Sequence, residues 1–227
     1  MKKRFFITGT DTDVGKTYIT VGLLGAAKRA GLRSLGLKPI AAGADWVDGV
    51  LRNEDALLIQ GASSVSLPYE QINPVVLEPA IAPHLAAIQA NKLVTASRLE
   101  GYLKGALLTP HDFALVEGAG GWRVPLNDRE LLSDLAKSMG LPVVMVVNMK
   151  LGCLNHALLT AEAIIRDGLS LAGWVANAGQ DTMPCYQENL ASLSGLLSAP
   201  LLGAMSWHQD QHSAEQEFDQ LLSAFLD

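Results

Sequence analysis

The chain has 227 residues, of which 49% are hydrophobic and 18% are charged, and a domain of this length buries roughly 70% of the surface of its unfolded chain. The net charge of −6 at pH 7 leaves no basic surface for nucleic acid. The two cysteines lack metal-ligand spacing, and no apolar run reaches the roughly 18 residues of a membrane span. We therefore expect one cytoplasmic domain over residues 1–227, without nucleic-acid or membrane partners.

A phosphate-binding loop is predicted near the N-terminus, between a strand and a helix. Residues 4–8 form the apolar strand, residues 9–17 read Gly-Thr-Asp-Thr-Asp-Val-Gly-Lys-Thr, and a helical pattern covers 16–30. Backbone N–H groups in such a loop bind phosphate, while Lys16 reaches the outer phosphates and the Thr17 hydroxyl can hold Mg²⁺. The spacing between the two glycines is one residue longer than usual, so this loop is a variant of the motif. The chain is therefore expected to bind ATP or GTP.

Short apolar runs alternate with helical patterns along the whole chain, which is typical of parallel βαβ units. The predicted strands are residues 4–8, 33–39, 112–117, 142–148, 171–177 and 200–204. The predicted helices are residues 16–30, 54–60, 95–108, 130–139, 153–167, 185–197 and 213–225. No pattern decides whether a helix covers residues 61–83. We expect an α/β fold, a single-domain P-loop NTPase-like parallel sheet covered by helices on both faces.

Polar side chains stand at the carboxyl ends of the predicted strands, where open parallel sheets bind their ligands. Lys38 ends the second strand, Glu117 ends the third and Asn177 ends the fifth. Glu117 precedes a glycine-rich turn and can share Mg²⁺ with Thr17, and Lys38 can stabilise charge on a phosphoryl group. Simpler roles stay open: a solvated carboxylate, a surface lysine and, for Asp55, a charge at a helix N-terminus.

Six sequence blocks, taken together, resemble a known family. They begin at Thr8, Leu37, Leu51, Val116, Lys150 and Gly173 and read TGTDTDVGKT, LKP, LRNEDAL, VEGAGGW, KLGCLNHA and GWVAN. The blocks occur in the order that is typical of the dethiobiotin synthetases, and the chain is similar to this family from residue 4 to about residue 203.

The resemblance implies an ATP- and Mg²⁺-dependent ring closure in biotin synthesis. Diaminopelargonate takes up CO₂ on one amine, the carbamate attacks the γ-phosphate of ATP, and the second amine displaces phosphate to give a cyclic urea. The protein would act as a ligase on small molecules and would need no covalent nucleophile.

The resemblance also implies roles for individual residues. Lys16 and Lys38 would be catalytic, and Thr17, Asp55 and Glu117 would hold Mg²⁺. The nucleotide would contact Thr12, Asp13, Val14, Gly15, Lys16, Thr17, Asp55, Glu117, Gly118, Ala119, Gly120, Asn177, Ser206, Trp207 and His208. Of these, Asn177 would read the adenine edge, and residues 206–208 would close over the base.

A second group of residues would bind the organic substrate. These are Thr12, Ala42, Leu151, Gly152, Cys153 and Asn155. The last four begin a predicted helix, whose free N–H groups favour a carboxylate, and in the family this segment reaches across a twofold interface to the substrate of the partner. The resemblance therefore implies a homodimer. Without it, an ordinary helix start with Cys153 as a small apolar residue would be the simpler interpretation.

Two departures from the family leave alternatives. Ala42 stands where the family usually has serine, and Ile81 stands in a segment where it has hydroxyl residues. An altered-substrate paralogue is therefore one alternative. A regulatory, partition-type P-loop ATPase switch is another, although such proteins need a second lysine early in the loop, where this chain has Asp11.

Overall fold

A parallel sheet with helices on both sides forms the centre of the molecule. The computed structural model describes residues 2–179, 183–207 and 211–226. The strands are β1 (Lys3–Gly9), β2 (Ser34–Leu37), β3 (Ile40–Ala42), β4 (Asp45–Val47), β5 (Val50–Arg52), β6 (Val75–Leu77), β7 (Phe113–Glu117), β8 (Val143–Asn148), β9 (Leu171–Asn177) and β10 (Leu201–Met205). The helices are α1 (Lys16–Arg29), α2 (Glu54–Ala62), α3 (Tyr69–Ile72), α4 (Pro83–Gln89), α5 (Ala96–Ala106), α6 (Leu132–Met139), α7 (Cys153–Arg166), α8 (Tyr186–Leu196) and α9 (Gln211–Leu226).

The central sheet contains six parallel strands in the order β10-β9-β8-β1-β7-β2. Strand β1 lies next to β7, where Ile7 is opposite Glu117. On the other side of β7, Leu37 of β2 is opposite Val116. This register brings the residues that follow β1, β7 and β2 to the same edge of the sheet, so the phosphate loop lies on one side of Glu117 and Lys38 on the other.

The predicted parallel α/β fold is confirmed, because each predicted strand corresponds to a strand of the central sheet and each predicted helix overlaps a helix. Strands β3, β4, β5 and β6 and helices α3 and α4 were not predicted from the sequence. These elements are three to seven residues long, which is too short for a hydrophobic period to be recognised. Helix α3, strand β6 and the start of α4 fill the segment that the pattern left undecided.

Side chains of β8 pack on both faces of the sheet. Val144 and Val146 belong to the larger hydrophobic cluster, whereas Met145 and Val147 pack in a second cluster with α7 and α8. Because successive side chains of a strand point to opposite faces, the two clusters cover opposite faces of this strand. Within the described ranges, no helix has the length and apolarity needed to cross a membrane.

Strands β4 and β5 form an antiparallel hairpin on the surface, directly before α2. The turn residues Asp48 and Gly49 have φ values of +50° and +79°, as a type I′ turn requires. Trp46 on this hairpin is 61% exposed, whereas Trp122 and Trp174 are buried. The hairpin therefore contributes to the surface rather than to the core.

Helix α9 packs closely against α1 because one position of α1 has no side chain. The ring of Phe218 lies where a Cβ at Gly22 would be, and it contacts the ring of Tyr18 with a centroid distance of 5.1 Å. Farther along the same pair of helices, Arg29 forms an ion pair with Asp219 at 2.6 Å. The glycine thus sets the distance between the two helices.

A pair of glycine substitutions in α1 tests this packing. We expect Gly22→Ala to lower the free energy of unfolding by about 1 to 3 kcal/mol, because the added methyl group overpacks the contact with Phe218. Gly25→Ala is the matched control, since its Cβ would meet only Arg29 Nη1 at 3.5 Å, and it should raise stability by up to about 1 kcal/mol through helix propensity. Urea unfolding of both variants checks the prediction, and equal responses would contradict it.

Candidate active site

The phosphate loop connects β1 to α1, as predicted. Gly15 has a φ of +92° and precedes the first residue of the helix, and a Cβ at this position would overlap the side-chain amide nitrogen of Asn177. That nitrogen donates a hydrogen bond of 2.9 Å to the carbonyl oxygen of Val14. Position 15 therefore requires glycine for its backbone conformation and for space, and Asn177 supports the loop from the end of β9.

Lys16 begins α1, and its side chain folds back over the loop. Its Nζ donates a hydrogen bond of 3.0 Å to the carbonyl oxygen of Asp11, and the residue is buried. Burial lowers the pKa of Lys16; Glu117 opposes this effect, and the positive charge of Lys38 adds to it. A buried ammonium group at a helix N-terminus is placed to meet an anion.

Four residues from four elements meet beside the loop. Lys38 Nζ lies 2.6 Å from Glu117 Oε1 and 2.9 Å from Asp55 Oδ2. The Thr17 hydroxyl donates to the same Glu117 Oε1 at 2.8 Å. The structure therefore brings together Thr17 and Asp55, each predicted near a helix start, and Lys38 and Glu117, each predicted at a strand end.

The ion pair between Lys38 and Glu117 is buried, with side-chain exposures of 5% and 0%, whereas Asp55 is 44% exposed. Burial disfavours the charged form of Lys38, but the carboxylates of Glu117 and Asp55 outweigh burial and raise the pKa of Lys38. Lys38 is therefore a cation. Glu117 Oε2 is buried and has no hydrogen-bond partner among the described residues.

The oxygen atoms of this cluster fit a magnesium ion. An unpartnered buried carboxylate oxygen calls for a partner, and Glu117 Oε2 stands in the same cluster as the Thr17 hydroxyl and the Asp55 carboxylate. Over residues 2–179, 183–207 and 211–226, no group of three His, Cys, Asp or Glu side chains could hold a metal ion. Mg²⁺ usually takes one or two carboxylates and completes its shell with water and phosphate oxygens.

A cleft of about 940 Å³ opens beside this cluster. Residues of the phosphate loop line one part, together with Lys38 and Asp55. Residues without polar side chains form another wall: Ala41, Ala42, Gly43, Ala80, Ile81, Ala82 and Pro83. The turn after β7 contributes Ala119 and Gly120. The cleft is therefore polar at the phosphate loop and has one apolar wall, and it contains both positions that depart from the family.

The predicted substrate-binding residues of the β8–α7 connection lie outside this cleft. Leu151 is 95% exposed, and Gly152 and Asn155 are exposed, whereas Cys153 is buried beneath the start of α7. Gly152 has a φ of +96° and caps the helix. This surface belongs to the same edge of the sheet as the cleft but does not line it.

The predicted base-binding segment follows β10. Met205, the last residue of β10, is opposite Asn177, so Ser206 and Trp207 come directly after the strand that borders β9. Trp207 is 56% exposed. The prediction for His208 lies outside the described residues.

Comparison with known proteins identifies the family. The chain is 52% identical to the ATP-dependent dethiobiotin synthetase BioD of Marinobacter nauticus, over 99% of this chain and 96% of that protein. It is 57% identical to the BioD of Cellvibrio japonicus, over 90% of this chain and 89% of that protein. Residues 3–215 also match a family model described as an AAA domain. The chain belongs to the dethiobiotin synthetase family.

Solved structures show the same fold at low sequence identity. The septum site-determining protein MinD from Pyrococcus horikoshii, complexed with Mg-ADP, has a TM-score of 0.57 and 18% identity over 100% of this chain and 93% of that chain. A ParA family ATPase from Chlorobium tepidum has a TM-score of 0.56 and 13% identity over 98% of this chain and 91% of that chain. At these identities, the similarity concerns the fold alone.

One feature of this dethiobiotin synthetase family member was missed from the sequence. Arg123 lines the cleft, and its guanidinium binds both carboxylate oxygens of Asp167, at 2.7 and 2.9 Å. Trp122 donates to the same carboxylate at 2.8 Å. No short motif signals this arrangement, because the partners are 44 and 45 positions apart.

Substitutions of the two carboxylates should differ in their effect on stability. We expect Glu117→Gln to lower the free energy of unfolding by roughly 3 kcal/mol, because it removes one partner of a buried ion pair. Asp55→Asn, the matched control, should cost less than about 1 kcal/mol, because Asp55 is partly exposed. Urea unfolding without nucleotide or metal measures both values. A larger loss for Asp55→Asn would show that Glu117 is not the main counter-charge of Lys38.

Proposed function

We propose that this chain closes the ring of dethiobiotin from 7,8-diaminopelargonate, CO₂ and ATP, with Mg²⁺ as cofactor. The observation that carries the proposal is the meeting of Lys16, Lys38 and the Thr17–Asp55–Glu117 oxygen atoms beside one cleft, in a chain of the dethiobiotin synthetase family. The polar part of that cleft suits a triphosphate, and the apolar part suits the carbon chain of the diamine.

Three residues would hold Mg²⁺: Thr17, Asp55 and Glu117. Held there, Mg²⁺ would supply positive charge that offsets the charge of the phosphates. Glu117 contributes the buried oxygen that lacks a protein partner. Asp55 is more exposed and would contribute from the cleft side. Thr17 is positioned for this role by its place directly after Lys16 at the start of α1.

The two lysines would act on charge rather than form covalent bonds. Lys16 is desolvated and folded over the loop, so it would contact the phosphate that is transferred. Lys38 and Thr17 contact Glu117 from opposite sides. From this position, Lys38 would stabilise the carbamate oxygen that attacks the γ-phosphate. It would also stabilise the phosphate that leaves when the second amine closes the ring. Preorganised cations of this kind need no reorganisation during the reaction.

The rest of the nucleotide would extend from the loop toward β9 and β10. The turn after β7, including Gly118, Ala119 and Gly120, would border the phosphates. Asn177 already supports the phosphate loop, and we propose that it also borders the adenine. The exposed Trp207 next to it would stack on the base.

The active unit is proposed to be a homodimer. Leu151, Gly152, Cys153 and Asn155 lie outside the cleft of their own chain, yet the start of α7 offers free N–H groups that suit a carboxylate. A partner subunit could therefore supply this segment to the far end of the substrate, while Thr12 and Ala42 contact it within the chain.

An altered substrate is the second candidate function. Its supporting observation is that Ala42 and Ile81, which depart from the family, both line the cleft. Loss of hydroxyl groups there removes polar contacts from the wall that faces the organic substrate. A partition-type switch remains a weaker alternative, because Asp11 stands in place of the second lysine.

Product formation tests the proposed function directly. The purified protein should convert diaminopelargonate and bicarbonate into dethiobiotin only with nucleotide and Mg²⁺, as measured by mass spectrometry and phosphate release. Lys16→Ala and Lys38→Ala should each lower kcat by at least about 100-fold, the loss typical of a preorganised charge. Lys28→Ala, at the exposed far end of the helix that begins with Lys16, is the control and should retain activity. Phosphate release that does not need the diamine would favour the switch, and normal turnover by Lys38→Ala would remove that residue from the mechanism.

Mixed dimers test the shared site. Lys16→Ala and Asn155→Asp subunits should each be inactive alone, and after subunit exchange a mixed dimer should recover one complete site of two. Recovery of activity is measured after exchange has been demonstrated by mass spectrometry. No recovery, with both parents confirmed inactive, would show that the carboxylate is bound within a single chain.

A further inference from the structure

Three buried polar side chains form a network behind Lys38 and Asp55. Asn53, Tyr69 and Asn73 are 6%, 5% and 1% exposed. Asn53 lies two residues before Asp55, whereas Tyr69 and Asn73 come from the short helix α3 and its end. Burial of so many polar groups is costly unless each one is hydrogen-bonded.

Tyr69 is the centre of the network. Its hydroxyl accepts a hydrogen bond of 2.8 Å from the backbone N–H of Asn53 and donates one of 3.0 Å to Asn73 Oδ1. Burial raises the pKa of Tyr69, so the phenol keeps the proton that it donates. The guanidinium of Arg52 lies 4.1 Å from the centre of its ring and holds the ring from outside.

Asn73 connects this centre to the backbone of Lys38. Its Nδ2 donates hydrogen bonds to the carbonyl oxygens of Lys38, at 2.7 Å, and Val75, at 3.3 Å. The N–H of Lys38 in turn donates to the carbonyl oxygen of Ile72 at 2.9 Å. Both backbone polar groups of Lys38 are therefore held by the end of α3.

Asn53 connects the same centre to Asp55 and to the wall of the cleft. Its Oδ1 accepts from the N–H of Ala56 and thereby caps α2, the helix that carries Asp55. Its Nδ2 donates to the carbonyl oxygen of Gly43 at 3.0 Å. One side chain thus fixes the start of α2 relative to the end of β3.

We propose that Asn53, Tyr69 and Asn73 are positioning residues that hold Lys38 and Asp55 in the geometry required for turnover. Lys38 follows β2 and Asp55 lies in the first turn of α2. The hydrogen bond between Gly36 and Ser63 ties β2 to the other end of that helix, so the start of α2 depends on a further link to Lys38. The network supplies that link through the path Lys38–Asn73–Tyr69–Asn53–Asp55. The expected loss of turnover rests on the proposed function, whereas the expected change in the distance between Lys38 and Asp55 does not.

Tyr69→Phe is the direct test, because it removes one hydroxyl and two hydrogen bonds and keeps the ring. We expect kcat for dethiobiotin formation to fall by about 10- to 100-fold, the range seen when groups that orient catalytic ligands are lost. The kcat should fall by a larger factor than the KM for ATP rises, because the phosphate loop itself is untouched. Rates are measured well below the Tm of each variant, so that all of the protein is folded.

Ser63→Ala is the matched control at the opposite end of α2. The Ser63 hydroxyl is also buried and also makes two hydrogen bonds, one from the N–H of Gly36 and one to the carbonyl oxygen of Ile59. We expect this variant to lose stability and to keep the kcat of the wild type. Should Tyr69→Phe fail to fold, Asn73→Ala replaces it, because it removes the bonds to Tyr69 and to the carbonyl oxygen of Lys38 and leaves the cap of α2 in place.

Crystal structures of Tyr69→Phe and Ser63→Ala supply a measurement that does not depend on turnover. We expect the distance from Lys38 Nζ to Asp55 Oδ2 to exceed the hydrogen-bonding limit of about 3.5 Å in Tyr69→Phe and to stay near 2.9 Å in Ser63→Ala. If the wild type makes no dethiobiotin, the proposed function is refuted. The positioning role is then judged from the distance between Lys38 and Asp55 alone.

Two results would overturn the positioning role. One is a Tyr69→Phe protein with the wild-type kcat and an unchanged distance between Lys38 and Asp55. The other is a loss of kcat that Ser63→Ala reproduces, because that loss would reflect general destabilisation of α2.

Discussion

The buried ion pair between Lys38 and Glu117 is the interaction on which the site depends. A carboxylate without exposed surface persists only when opposite charge and hydrogen bonds compensate its lost hydration. Here both come from neighbouring elements: the ammonium follows β2, and the Thr17 hydroxyl lies on α1. The strand order β1-β7-β2 makes this possible, since it places Glu117 between the phosphate loop and Lys38. The charge balance of the site therefore depends on the order of the strands in the sheet.

The part of the structure that could be predicted is the part encoded by contiguous residues. The phosphate loop is one segment, and Lys38 and Glu117 could be placed because strands of a parallel sheet end at the same edge. The surrounding support could not be predicted. Tyr69 and Asn73 reach their partners across 16 and 35 positions, on elements too short to show a period. Such contacts depend on tertiary packing, and no local sequence pattern predicts them.

Fold similarity and family membership answer different questions for this chain. The sheet resembles those of MinD and ParA ATPases at 18% and 13% identity, so its shape alone would leave a switch and a ligase equally open. Identity above 50% over most of the chain separates them. Beside the phosphate loop of this chain, the cleft has an apolar wall.

The distribution of the tryptophans gives the protein its own optical reporters. Trp122 and Trp174 are buried, whereas Trp46 and Trp207 are more than half exposed. Trp46 stands on the hairpin before the helix of Asp55, and Trp207 follows the strand that borders β9. Emission from the buried pair therefore follows unfolding, while an aqueous quencher such as acrylamide reaches the exposed pair. Quenching and emission wavelength, read from one unlabelled sample, thus separate changes at the exposed surface from loss of the fold.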